Sequence, residues 1–460
     1  MRTPPSWPDH AGLPPPLELH TTDAIHAPPC GGDGRVDTQQ GEPWWKIYTG
    51  TIASPRGAKK QKRSNYVNGY KNLRTEEVDG DPSILMRISS AEWQDLLTGD
   101  SFVEYVSIAE LKKMLLFILC QLRAECDRFL TGLDAFDAEL ARISVDHPGL
   151  EDCTHHSVAM ARFLCTKAKG DKWVPFHAVL CDHERYIFEK IYTFENLTER
   201  QRLCLAFAFR ASCWIDLFDH IFQPILRKHA VGDKVELDAI LSNPEAAFER
   251  NSCMHQKYME YRNAGGKLHT SAHSCHPPSG AKGEEYTFYI MTRTALYIRL
   301  GGKVFDLLAP HVTKTQQTAG APLKMDELDK LLQSEHRVGP TTSKMFLVTI
   351  HLRFPQLGLL STECQVGDGA SAAFLLLFPK VHSKVFGQKE TRQAIFHKMY
   401  AYILEHLETF EPRLLPMIQW TANVAREKYA GIIHRNAFSD SLSAYDLQVN
   451  LCEWRKFRSM

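Results

Sequence analysis

Val338-Gly339-Pro340-Thr341-Thr342 leads without a break into Ser343-Lys344-Met345-Phe346-Leu347-Val348. The stretch predicts a tight turn feeding an amphipathic helix. The first N–H groups of such a helix have no partner inside it. Together with the helix dipole they favour an anion, and a phosphodiester suits them well. The turn is therefore a candidate DNA contact, and the sequence around it has to support or weaken that reading.

Downstream, the helix is expected to end near Arg353-Phe354-Pro355. Gln365-Val366-Gly367-Asp368-Gly369-Ala370-Ser371-Ala372-Ala373 then reads as a glycine-flanked turn into a helix of small residues, which lets a backbone approach something closely. Glu390 to Leu407, Leu414 to Tyr429 and Ser441 to Trp454 predict three more helices. The chain closes on Leu451-Cys452-Glu453-Trp454-Arg455-Lys456-Phe457-Arg458. Its mixed cations and aromatics could follow a nucleic-acid backbone and stack on bases. A solvated amphipathic helix end is the plainer alternative.

Upstream, Met325 to Gln333 predicts a short helix on Leu328, Leu331 and Leu332, after a polar loop at 310–323. Gly301-Gly302-Lys303-Val304-Phe305 reads as a second glycine-lysine turn. It is not a Walker loop, because no two glycines separated by four residues are followed by Lys-Ser or Lys-Thr anywhere in the chain. In Arg262-Asn263-Ala264-Gly265-Gly266-Lys267-Leu268-His269 a Gly-Gly turn predicts a loop at a surface or cleft, with Lys267 and His269 placed to face phosphate. His269, His273, Cys275 and His276 are ligand types that zinc takes. Their spacing matches no usual ligand pair, so no metal is expected there.

Leu197-Thr198-Glu199-Arg200 opens a helix capped by Thr198 and apolar nearly all round towards Phe222, as a central buried helix would be. Pro224 is expected to break or bend it. Asn243-Pro244-Glu245 starts another helix, with proline at its first position. Before these, Leu111, Met114, Leu115, Ile118 and Leu122, then Phe129, Leu133, Phe136 and Leu140, recur at helical steps. They predict two helices, closed by Asp146-His147-Pro148-Gly149. Residues 1–80 carry proline and glycine clusters without apolar periodicity and are expected to be a disordered tail. Lys59-Lys60-Gln61-Lys62-Arg63 within it reads either as a nuclear import signal or as an ordinary solvated basic run. The expected organisation is thus this tail, a helical region at 81–175 and a larger helical domain at 176–460.

The 54 basic and 54 acidic side chains cancel, so only local patches can argue for nucleic acid. The 12 cysteines form no regular framework and no signal peptide is recognisable, which predicts reduced thiols in an intracellular protein, nuclear if the 59–63 run acts in import. No apolar run reaches membrane-spanning length, and no membrane partner is expected.

Val338, Gly339, Thr342 and Ser343 resemble the helix-hairpin-helix turn of DNA glycosylases, whose Leu-Pro-Gly-Val-Gly-x-x-Thr-Ala pattern presents amides to DNA phosphate. Arg337 stands where that pattern has its first glycine. Thr341 stands where the lyase-active members carry lysine, so lyase chemistry is not implied. Glu363 and Asp368 are the acidic candidates after the helix, although neither sits in that family's Val-Asp-Thr context.

Over residues 185–460, the Arg262 loop, the Val-Gly-Pro turn, the Val-Gly-Asp-Gly-Ala turn and the closing Leu-Cys-Glu-Trp-Arg-Lys-Phe together resemble one helical domain. It is the domain of 5-hydroxymethyluracil (5-hmdU) DNA kinases and of the related amino acid:DNA transferases, also called α-glutamyl/putrescinyl-thymine pyrophosphorylases. The resemblance implies a mainly α, glycosylase-like fold that binds DNA in a thymine hypermodification system. It also implies transfer of a group to a modified base, without kinase activity because the P-loop is missing; a separate kinase would then be a partner.

Catalytic candidates are Asp368, Glu363, His269 and Lys267. DNA-binding candidates are Val338, Gly339, Pro340, Thr341, Thr342, Arg262, Arg455 and Lys456. No cofactor is expected. The alternative is a non-catalytic DNA- or chromatin-binding module; a base-excising glycosylase fits less well.

Overall fold

The computed structural model describes residues 102–151, 160, 173–269, 283–312, 325–335, 338–379, 381, 386 and 389–458. The 1–80 tail with its basic run, His273, Cys275, His276 and Arg337 lie outside the described residues. Among the described residues the chain is mainly helical and has no strand. In chain order the principal helices are α1 (Ile108–Phe129), α2 (Leu133–Ser144), α3 (Glu199–Arg210), α4 (Ile215–Ala230), α5 (Val235–Ser242) and α6 (Cys253–Asn263). Then follow α7 (Gly283–Val312), α8 (Met325–Ser334), α9 (Pro340–Arg353), α10 (Lys389–Phe410), α11 (Leu414–Lys428) and α12 (Ala444–Arg458). None of the described helices is long and apolar enough to cross a membrane.

α3 is the hub. The Thr198 hydroxyl accepts the Gln201 N–H while the Gln201 side chain accepts the Thr198 N–H, so two otherwise orphaned donors are satisfied at its start. Every side chain from Leu203 to Arg210 is buried, at about 1.5–3 kcal/mol for each large apolar one. On one side α7 lies directly against it. A Cβ on Gly301 would stand 2.9 Å from the Cys204 Cα, closer than packed atoms come. The Gly301-Gly302 pair is therefore not a turn, as its sequence suggested, but the flat face on which a 30-residue helix meets the central one. Mid-helix glycines cost roughly 1 kcal/mol each, and the tight contact offsets it. Beside this contact Phe346 of α9 reaches the Phe207 ring at 4.1 Å and the Tyr297 ring of α7 at 4.7 Å, locking three helices on one aromatic cluster.

The expected run from Thr198 to Phe222 is two helices. Ala211 to Trp214 interrupt it, with Cys213 in the left-handed region at φ 48°. An all-apolar surface gives no sign of such a break. Pro224, expected to break or bend the helix, does not break it: it lies inside α4, where Ile221, Phe222, Ile225 and Leu226 are buried on both sides of it. α9 also differs from its expected amphipathic form: apart from the half-buried Lys344, His351 and Arg353 its described side chains are buried, including Ser343 and Thr349.

α1, α11 and α12 make a second packed group. Phe136 of α2 meets Trp420 of α11, and Phe117 of α1 meets Phe457 of α12. Trp454, read as a base-stacking candidate, is 1% exposed and belongs to this core. Ser443 and Asp446 cap α12 reciprocally: the Asp446 N–H donates to the Ser443 hydroxyl, and the Ser443 N–H and hydroxyl donate to the Asp446 carboxylate.

Candidate functional site

The Val338 turn is held from beneath. Val338 is buried, Gly339 is exposed, and Pro340 is the first residue of α9. Gly339 occupies the N-cap and offers no side chain to the first-turn amides. Thr342 and Ser343 face inward. The Ser343 hydroxyl donates to Asp329 Oδ1 of α8 at 2.5 Å. Asp329 Oδ2 accepts the side-chain amides of Gln333 and Gln365. One buried carboxylate thus takes three neutral donors from α8, from α9 and from the segment before the second glycine turn. That segment is fixed again by Gln393 of α10, which accepts the Val366 N–H at 3.1 Å and donates to the Cys364 carbonyl at 2.8 Å.

α12 closes the same group. The Lys344 ammonium donates to Gln448 Oε1, and Cys364 Sγ lies 3.9 Å from that oxygen. Burial pushes the Cys364 thiol up, only partly countered by the Lys344 charge, so it stays protonated. Gly369 brings the second glycine turn against α12: a Cβ there would lie 2.7 Å from Cys452 Sγ. Asp368 opens a one-turn helix, Asp368–Ser371, and Glu363 is exposed just before it. Three regions far apart in sequence, the Val338 turn, the Gln365–Asp368 turn and α12, are therefore neighbours.

The cations around the turn are partly committed. Arg299 and Lys303 of α7 both bind Glu335, three residues before Val338, and Arg299 also reaches Glu245 at 2.6 Å. Burial alone would raise the Glu335 carboxyl, but these two cations hold it below the ordinary carboxylate range. On α12, Lys456 pairs with Glu453, while the Arg455 Nε is buried without a hydrogen-bond partner.

The Arg262–His269 loop follows α6. Arg262 Nη1 reaches the Thr287 hydroxyl at 3.4 Å, and His269 meets the Tyr286 ring edge-on at 5.5 Å. Lys267 is exposed, and its ammonium sits 3.8 Å from the centre of the Trp214 ring. Trp214 is one residue from Cys213, which is buried against Met345 of α9. The loop is thereby linked to α9 through the α3–α4 break, whereas Glu363 and Asp368 belong to the Asp329 side.

Sequence reasoning missed Asp329, Lys344, Gln393, Gln448 and Trp214. Asp329 left a faint trace: it adjoins the apolar positions Leu328 and Leu332, both buried. The others carry no local signal, because their partners are distant in sequence. Among the described residues no group of three or more His, Cys, Asp or Glu side chains is arranged to hold a metal ion. No protein-family model, no curated protein and no solved structure matches the chain.

Proposed function

We propose that residues 176–460 form a DNA-binding domain of the helix-hairpin-helix glycosylase-like kind, related to the helical domain of thymine hypermodification systems. The observation that carries this reading is the start of α9. Gly339 is exposed and uncapped, and the helix behind it is buried and braced at Ser343 by Asp329. A rigid helix whose first turn has no side-chain cap suits a phosphodiester, with the Thr341 and Thr342 N–H groups as the donors, since Pro340 has none. Lys267 and Arg262 add positive charge on the loop linked to the same helix.

In the catalytic form of this proposal the substrate is a 5-hydroxymethylpyrimidine activated as its pyrophosphate, which a separate kinase would supply. An amine nitrogen forms a bond to the base-linked methylene as the carbon–oxygen bond breaks. Pyrophosphate leaves with the electron pair, and the nitrogen loses a proton. Lys267, His269 and Arg262 would meet the departing charge; Asp368 or Glu363, on the Asp329 side, would take the proton, which requires the bound nucleotide to reach across the start of α9. A specific observation supports the non-catalytic alternative. Asp329, the buried carboxylate at the turn, is fully engaged by three donors, as a structural brace would be.

Titration of the full chain with plain and 5-hydroxymethyluracil duplexes across a salt series tests the reading. The expected result is binding that weakens steeply as salt rises. No binding to either duplex at low salt would refute it. If duplexes bind, unchanged product formation by Asp368→Asn and Glu363→Gln would remove those carboxylates from the chemistry.

A further inference from the structure

The α3–α4 break presents an aromatic surface that neither the fold nor the phosphate contact requires. Cys213 takes φ 48°, a conformation that a residue with a side chain rarely adopts. Its consequence is that Trp214 stands at the N-cap of α4, half-buried, where it makes no side-chain cap. The indole N–H donates to the Tyr261 hydroxyl at 3.2 Å, and the exposed His220 ring lies 5.2 Å from Tyr261. Gly266 lies so close to Tyr261 that a Cβ would fall 2.3 Å from its ring. The Gly-Gly turn thus folds flat over Tyr261 and delivers Lys267 to the face of Trp214.

We propose that Trp214, with Tyr261 and His220 beside it, is a stacking platform for one unstacked DNA base, and that Lys267 holds the base's place in the free protein. This rests on the DNA-binding reading above. A surface cation such as Lys267 on a half-buried indole is held weakly enough to exchange. When DNA binds, the ammonium swings out to the phosphate of that nucleotide and the base takes its position over the ring. Base and phosphate of one nucleotide are then met by two side chains already in register. Stacking of this kind tolerates any base, since each has a π-face. A base taken out of the duplex is also what chemistry on that base needs.

The test uses the full chain with a short single-stranded DNA carrying 2-aminopurine, and with a plain duplex. Wild type should bind the single strand and quench the 2-aminopurine. Trp214→Ala should lose the quenching and about tenfold in single-strand affinity, while Trp214→Phe retains part of both. Lys267→Met should reduce the slope of log affinity against log salt by about one. A folded Trp214→Ala that binds and quenches like wild type would overturn the platform and leave the DNA reading standing. Wild type that binds neither DNA would overturn both. Should Trp214→Ala not fold, the exposed positions decide: unchanged affinity in both Lys267→Met and His220→Glu would overturn the platform.

Discussion

Asp329 is where one side chain sets the arrangement of several elements. Its two oxygens tie α8 to Ser343 on α9 and to Gln365 before the second glycine turn. Removing it leaves three buried or half-buried donors unpaired. Asp329→Ala should therefore cost about 2–3 kcal/mol, read as a lower urea midpoint. Asp329→Asn, which keeps an acceptor, should cost less. Equal stability of Asp329→Ala and wild type would mean that the three bonds do not hold in solution. Beyond the place of Asp329 beside Leu328, none of these contacts was legible in the sequence. Leu328-Asp329-Lys330 looks like the edge of an amphipathic helix, and nothing local points to Ser343 or Gln365 as partners. Trp214 was equally silent, because its exposure follows from a backbone reversal at Cys213 inside an apolar run.

Elements were easier to read than contacts. The Thr198 cap, the Pro148-Gly149 stop and the helical steps of α1 and α2 are local features, and local features set where helices begin and end. The Gly301-Gly302 pair misled for the opposite reason. Glycine signals a turn or a close approach with the same letter, and only the presence of α3 decides which. Gly301→Ala should overpack the α3–α7 contact at Cys204 and Phe207, costing about 1–3 kcal/mol. A melting temperature equal to or above that of wild type would show that α7 has room to move away. Gly339→Ala is the contrast, because no atom lies within 4 Å of a Cβ placed there.

Across the whole molecule, a buried polar cluster joins α1 to α12 and to the segment at 173–177. Glu125 accepts the His177 backbone N–H at 2.8 Å and meets its ring Nδ1 at 2.5 Å, Trp173 donates to Gln121, and Asp446 completes the group. Burial pushes the Asp446 carboxyl up to about 6, against the pull of Ser443 and of the His177 charge. Burial works against a charged His177, but Glu125 outweighs it and raises the imidazole above its ordinary value. Both groups bind protons more tightly in the fold than in the unfolded chain. Each therefore contributes stability at low pH that is lost as pH rises through its folded value. Asp446→Asn keeps an acceptor for Ser443 but cannot ionise. Its stability relative to wild type should rise as pH increases from about 4 to about 6. A difference that does not change with pH across that window would place Asp446 in a less buried setting.

The functional account rests on α9 presenting its first amides to a DNA phosphate, and Gly339→Asp tests that contact most directly. Gly339 is exposed with an ordinary backbone conformation, so aspartate fits without strain. It is also a favourable N-cap residue. The new carboxylate would satisfy the amides that the phosphate is proposed to use and would add a like charge beside it. The account predicts a protein at least as stable as wild type that binds duplex DNA at least about tenfold more weakly at low salt. A stable Gly339→Asp variant with wild-type affinity and the same salt dependence would contradict it.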